Sequence, residues 1–330
     1  MIENICKNIY RIAVPLPHNP LKELNSYYIQ GKKGEKSLLI DTGFRIPQCR
    51  EALLQGLDEL HAKPEDYNIF LTHLHADHSG LAPEVVSENG KIYVSSIDSP
   101  YLSDPDFMSS LWKKSEETYA QAGFPLENLT SSLTKNPSLA YAPKTDTKHY
   151  VNLEDADELS VGGYHFSCIL TPGHTPGHMC LWDKEHRLMF TGDCVLFDIT
   201  PNITSWFEMK DALGSYLQTL KRLQSYPVEL ALPGHRSSGN FQERIIQLQK
   251  HHEVRLAEVE SIVKQTPGQN AYSIAGQMKW KIKAKNWEEF PVAQKFFAIG
   301  ECQAHLDHLL ALEKLYVKTG KDSIKYYYPI

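Results

Sequence analysis

An apolar segment, Asn68-Ile69-Phe70-Leu71-Thr72, runs without a break into His73-Leu74-His75-Ala76-Asp77-His78-Ser79-Gly80. The chain holds 15 histidines and 16 aspartates in 330 residues, so an H-x-H-x-D-H spacing is expected by chance only on the order of 0.001 to 0.002 times in it. A short apolar run of this kind is predicted to be a buried strand. At an extended strand end, residues two apart point to the same side, which lets the imidazoles of His73 and His75 converge on one ion. The tighter turn that follows would swing Asp77 and His78 toward a second ion. Imidazole and carboxylate donors without thiolate favour Zn²⁺, with Fe or Mn as alternatives. The competing reading is a coincidental polar loop or a pH-responsive hydrogen-bond cluster.

Two metals need more ligands, and the chain offers them in one recurring context. His174 lies in Thr171-Pro172-Gly173-His174-Thr175-Pro176-Gly177-His178, Asp193 in Phe190-Thr191-Gly192-Asp193, and His235 in Leu232-Pro233-Gly234-His235. Each follows an apolar strand pattern and a glycine, an arrangement that gathers ligands along one sheet edge of an α/β sandwich. His178, four residues past His174, reads as a supporting residue rather than a ligand.

The first hundred residues alternate short strands with turns and helices, the rhythm of a layered α/β protein. Strands are predicted at 8–14, 26–30, 37–40, 68–72 and 91–94, a hairpin turn at 31–34, and helices over 47–60 and 82–88. From about 101 to 150 the strand rhythm stops, and a helical insertion is expected, with helices near 108–122 and 126–133. Strands return at 164–170, 179–183, 188–191 and 228–232, with a helix across 211–224. Past Phe241 the order becomes helix (242–264), helix (273–278), helix (291–315) and a hairpin around Gly320, the order of a winged helix-turn-helix module. Residues 246–330 carry 12 Lys/Arg against 9 Asp/Glu, a net of +3 that leaves −9 for the remainder.

Apolar residues at 42%, charged at 22% and a net charge of −6 exclude a disordered chain and argue against a globally basic nucleic-acid binder. The six cysteines form no C-x-x-C pair, so neither a disulfide framework nor a thiolate zinc site is expected. No run approaches ~18 apolar residues and the first residues lack a basic start leading into an apolar stretch, so a cytoplasmic protein without membrane spans is expected.

The five motifs, Asp41 in Ile40-Asp41-Thr42-Gly43, His73/His75/Asp77/His78, His174, Asp193 and His235, resemble in their order those of the metallo-β-lactamase-fold superfamily of metallohydrolases. The resemblance implies an α/β (α+β) fold, a four-layer αββα sandwich with a helical insertion, over residues 1–240. It implies one metal on His73, His75 and His174, a second on Asp77, His78 and His235, and Asp193 bridging the two. Asp41 would support the site from behind, and Asp77 would also act catalytically, orienting a hydroxide shared by the two metals. The stretch from Ala271 to Leu306 resembles the winged-helix tail of a subgroup that includes β-lactamase-like protein 2, which implies a separate helical module over 241–330.

The expected function is metal-dependent hydrolysis of a small-molecule ester or thioester, of acyl-CoA, glutathione-thioester or lactone type. A phosphodiesterase or ribonuclease is the alternative, and a mono-iron persulfide oxygenase or a DNA-binding regulator acting through the winged helix is a second. Nucleic acid thus stays a lesser candidate partner, and a homodimer is an open option. The remaining features take structural readings. Cys194 is read as a small buried thiol, His251-His252 as solvated surface, and His305 with His308 as packing. Lys279 to Lys285 reads as a solvated edge with Trp280 turned inward or as a nucleic-acid face, and Tyr101, Phe107, Trp112, Tyr119 and Phe124 as an acyl-pocket wall or as packing within the insertion.

Overall fold

Along β3 (Glu23–Ile29) and β4 (Ser37–Ile40) of the computed structural model, successive side chains enter two different cores. Leu24, Tyr28 and Leu39 join one cluster with Leu53 and Leu57 of α1 (Pro47–Glu59). Tyr27, Ile29, Leu38 and Ile40 join another with Phe166, Met179, Leu181, Phe190 and Leu232. A strand with a period of two that is apolar on both sides must be covered on both faces. Here helices cover one face and a second sheet the other. The structure describes residues 2–125, 140–144, 149–282 and 284–330. The helix expected at 126–133 lies outside them.

The chain forms two compact units, the first made of residues 1–108, 137–201 and 224–245. Its seven-stranded sheet has the order β1 (Ile2–Cys6), β2 (Ile9–Pro15), β3, β4, β5 (Tyr67–Phe70), β6 (Ile92–Ser95), β7 (Tyr150–Leu153). Strands β1 to β4 pair antiparallel, and β4 to β7 pair parallel. The five-stranded sheet has the order β12 (Leu230–Pro233), β11 (Leu188–Gly192), β10 (Met179–Asp183), β9 (Tyr164–Leu170), β8 (Glu158–Val161). Only its β11·β12 pair is parallel. Each fully buried Leu, Ile or Phe in the shared core contributes about 1.5–3 kcal/mol by transfer from water.

Short helices follow β5: α2 (Ala76–Ser79), which carries Asp77 and His78, and α3 (Ala82–Val85). The expected turn at Asp77 and His78 is thus a single helical turn, and the expected helix over 82–88 is one turn long. Strands β1, β7 and β8 carry too little alternation to be legible in advance. Helices α4 (Ser99–Ser103) and α5 (Pro105–Gln121) come next.

The second unit comprises residues 109–136, 202–223 and 246–330. It holds α6 (Ala212–Leu223), most of α7 (Phe241–Gln265), α8 (Ala271–Ala275), α9 (Val292–Ala311) and the antiparallel hairpin β13 (Leu315–Thr319) and β14 (Lys325–Pro329). Its core gathers Phe124, Val259, Ile274, Ile299, Cys302, Leu306, Leu309 and Tyr327. Asn270 caps α8 by accepting the Ser273 N–H at 2.9 Å. His252 is not surface: it is 1% exposed, and its Nδ1 lies 3.4 Å from Nε2 of fully buried His305. The residue pattern of a charged helix hides this, because a long helix can bury one polar side chain where another helix supplies its partner. Trp280 lies under the Arg255 guanidinium at 4.4 Å, and its Nε1 donates to the Ala275 carbonyl at 2.8 Å. Of the insertion aromatics, Tyr101 meets Phe107 in the first unit, while Tyr119 stacks on Phe296 at 4.0 Å in the second. Among the described residues, no helix is long and apolar enough to cross a membrane.

Candidate metal centre

Four strands of the first unit, β4, β5, β11 and β12, end at one edge and release Asp41, His73, Asp193 and His235 there. The β9–β10 loop adds His174 and His178, and α2 adds Asp77 and His78. The seven sequence-predicted ligands come together in three overlapping sets. These are His73, His75 and His174; His73, His78 and Asp193; and Asp77, His78 and His235, each with donor atoms within 4.8 Å of one another. His73 Nε2 lies 3.0 Å from His75 Nδ1, and His78 Nε2 lies 3.2 Å from His235 Nε2. Two donors sharing a tetrahedral ion through ~2.05 Å bonds sit roughly 3.3 Å apart.

Asp193 stands between the sets. Its Oδ1 is 3.5 Å from His78 Nε2, and its Oδ2 is 3.7 Å from His174 Nε2 and 3.5 Å from His235 Nε2. Asp77 Oδ2 is 3.4 Å from His235 Nε2. Gly234 allows this approach, because a Cβ on it would sit 2.6 Å from Asp193 Oδ1 and 2.8 Å from His78 Cε1. Gly192 is closed in the same way, a Cβ on it falling 2.6 Å from His178 Nε2, while Gly173 takes a positive φ of 142°.

Hydrogen bonds fix the imidazole tautomers so that lone pairs face inward. Thr72 Oγ1 donates to Asp41 Oδ2 at 2.8 Å, so it accepts from His73 Nδ1–H at 3.0 Å and leaves His73 Nε2 bare. His78 Nδ1–H donates to Asp41 Oδ2 at 2.7 Å, and His235 Nδ1–H donates to the Glu23 carbonyl at 2.8 Å. His178 is turned the other way. Its Nε2 accepts the Asp193 N–H at 3.1 Å and its Nδ1–H donates to Thr171 Oγ1 at 2.7 Å, so it holds the Asp193 backbone and has no lone pair left for an ion.

Burial and the neighbouring imidazoles hold His73 well below its ordinary pKa, and burial takes His75 to about 4 despite Asp77 and Asp193. For His78, burial is outweighed by the carboxylates of Asp41 and Asp193, which raise it well above the ordinary value; Asp193 and Asp77 likewise raise His235 against burial. Asp77 falls to about 2 although burial opposes it, because His235 and His78 favour the carboxylate. A buried cluster of carboxylates draws positive charge onto two imidazoles where protein alone must supply it. The Oδ1 of Asp193 is also buried without a hydrogen-bond partner. Divalent cations satisfy both demands, and this oxygen and nitrogen donor set without sulfur suits them.

Sequence reasoning missed Asp98, fully buried beside the ligand loops, and Asn25, whose Nδ2 donates to the carbonyls of Pro233 at 3.0 Å and Arg236 at 2.8 Å around His235. Each is a lone polar residue with no spacing motif to mark it.

A two-sheet α/β sandwich with a histidine- and aspartate-lined divalent-metal cradle at its strand ends defines a class of metalloprotein. Residues 22–235 match the family described as the Metallo-beta-lactamase superfamily, and the chain belongs to it. Lactamase-like protein ptaB of Pestalotiopsis fici is 28% identical over 234 residues, covering 71% of this chain and 57% of that relative. The Atrochrysone carboxyl ACP thioesterase of Emericella nidulans is 26% identical over 234 residues, again covering 71% of this chain and 57% of that relative. The chain thus spans little more than half the length of these curated relatives. Among solved structures, a metallo-beta-lactamase family protein from Thermus thermophilus superposes with a TM-score of 0.80 at 24% identity, covering 99% of this chain and 100% of its own. A beta-lactamase domain protein from Burkholderia ambifaria does so with a TM-score of 0.82 at 21% identity, covering 100% and 93%. These likenesses are of fold.

Proposed function

We propose that this protein is a metal-dependent thioester hydrolase whose centre holds two divalent ions, Zn²⁺ first among them. The observation that carries the reading is the position of Asp193, whose Oδ2 lies 3.7 Å from His174 Nε2 of one set and 3.5 Å from His235 Nε2 of the other, with its Oδ1 3.5 Å from His78 Nε2. In this reading His73, His75 and His174 hold one ion, Asp77, His78 and His235 the other, and Asp193 reaches both. Bound there, the ions supply Lewis acidity at the attacked oxygen and lower the pKa of water toward ~7.

The chain's own residues do the rest. Asp77 is the most accessible of the buried carboxylates, with its side chain 13% exposed, and it stays ionised to accept a hydrogen bond from the attacking water and orient it. Asp41 and the Glu23 carbonyl keep His78 and His235 in register. Cys194 takes no part as a nucleophile: hydrogen bonding to Cys180 and burial push its thiol well up. The thioester, rather than another acyl group, is supported by relatives named as acyl carrier protein thioesterases. The order of helices and hairpin over 241–330 supports a winged-helix-like module, and six free cysteines suit a reducing cytoplasm.

The test is one preparation of the full chain, analysed for metal and assayed on acyl-CoA, acyl carrier protein and glutathione thioesters, lactones and single-stranded RNA. We expect two ions per chain and thioester turnover that chelation abolishes and Zn²⁺ restores. Asp77→Ala should lower kcat by about 10² to 10⁴ with its circular dichroism unchanged. Full activity in metal-loaded Asp77→Ala, or RNA cleavage lost in that variant without thioester turnover, overturns the reading.

A further inference from the structure

Asp98, just past β6, is fully buried and belongs to none of the three donor sets. Its Oδ2 accepts the Leu74 N–H at 3.0 Å and Thr175 Oγ1–H at 2.8 Å, and its Oδ1 accepts the Gly177 N–H at 2.7 Å. Its own N–H is anchored on Ser95 Oγ at 3.1 Å, at the end of β6. Those three donors sit on the two loops that bring histidines to the metal cradle. Leu74 lies between His73 and His75. Thr175 follows His174. Gly177 precedes His178, which in turn grips the Asp193 amide.

A Cβ on Gly177 would lie 2.6 Å from Asp98 Oδ1 and 2.7 Å from Asp98 N, so only glycine lets the second loop close on this carboxylate. Burying a carboxylate is costly unless its lone pairs are met. This one is met by donors from both ligand loops, and a neutral apolar residue would fill the space without tying them together.

We infer that Asp98 is a positioning residue of the metal centre, a strut that sets the distance of His73 and His75 from His174 and, through His178, the placement of Asp193. The inference rests on the two-metal reading above. Residues behind metal ligands typically contribute about 10- to 100-fold to metal affinity, and Asp98 acts on both loops at once.

The test uses the full chain as wild type, Asp98→Asn and Thr175→Val, each stripped with a chelator and titrated with Zn²⁺ against a chromophoric chelator. Asparagine keeps one acceptor oxygen and turns an NH₂ group toward N–H or O–H donors, so at least one of the three contacts is lost and the tie between the loops is weakened. Thr175→Val removes a single donor and decides the matter if Asp98→Asn does not fold. We expect wild type to bind two ions, Asp98→Asn to lose about 10- to 100-fold in affinity, and Thr175→Val to lose less. The Co²⁺-loaded variants should also show altered visible spectra. Wild-type affinity and wild-type Co²⁺ spectra in both variants, with only the melting temperature of the stripped protein lowered, would reduce Asp98 to a structural residue and overturn the inference. Wild-type protein that takes up no metal would overturn the two-metal reading itself, and this one with it.

Discussion

His78 Nδ1 and Asp41 Oδ2 lie 2.7 Å apart with both side chains buried, and this pair decides which way the imidazole faces. Asp41 also accepts the Thr72 N–H at 2.9 Å and the Thr72 hydroxyl at 2.8 Å, so one carboxylate fixes both His73, through Thr72, and His78. It does so from a left-handed backbone conformation, φ 58°, which aspartate and asparagine tolerate better than most side chains. Asp41→Asn keeps shape and conformation but loses the charge that balances His78. The expected outcome is weaker metal binding by about 10- to 100-fold, read by chelator competition. A loss of about 3–5 kcal/mol in the stripped protein, read by urea unfolding, should accompany it. Unchanged metal affinity would mean that the pair orients nothing.

Gly234→Ala isolates the steric part of the site. Gly234 has no positive φ, so the added methyl brings no backbone strain; it simply lands 2.6 Å from Asp193 Oδ1. Either Asp193 or His78 must move, at a cost of roughly 1–3 kcal/mol. We expect the variant to fold and to bind fewer than two equivalents of Zn²⁺ by elemental analysis. Two equivalents at wild-type affinity would contradict the close approach.

The proposed metal ligands are legible in the sequence as a cluster because each follows an apolar strand, and a strand end has few ways to aim its next residues. The histidine pair at 73 and 75 and the glycine-led His174, Asp193 and His235 need no long-range information. What escapes is what depends on partners distant in sequence. Asp98 is an ordinary aspartate until Leu74, Thr175 and Gly177 are folded against it. Strand β7 owes its existence to parallel pairing with β6, between Ile92–Ser95 and Tyr150–Leu153, more than to its own half-exposed residues. His252 reads as surface in the sequence because its burial depends on His305, 53 residues away.

That second pair of histidines makes the second unit acid-sensitive. His305 Nδ1–H donates to the Glu301 carbonyl at 2.7 Å, leaving Nε2 to accept from His252 Nδ1–H, so both rings are neutral in the folded chain. Burial lowers His305 from 6.5 to about 4 and, with the neighbouring imidazoles of His305 and His251 and the Arg255 guanidinium, holds His252 well below its ordinary value. An unfolded histidine with a pKa near 6.5 binds the proton more readily than either, so stability is full above about pH 6.5 and falls as pH drops from there toward 4. His305 alone accounts for about 3 kcal/mol across that window. Burial raises Glu301, which works in the opposite direction and offsets part of the loss. Urea unfolding of the metal-stripped protein at pH 7.5 and pH 5.0, followed by tryptophan fluorescence, should show the midpoint falling at the lower pH. His305→Gln, which cannot take up the proton, should flatten much of that dependence; the same slope in wild type and variant would place the acid sensitivity elsewhere.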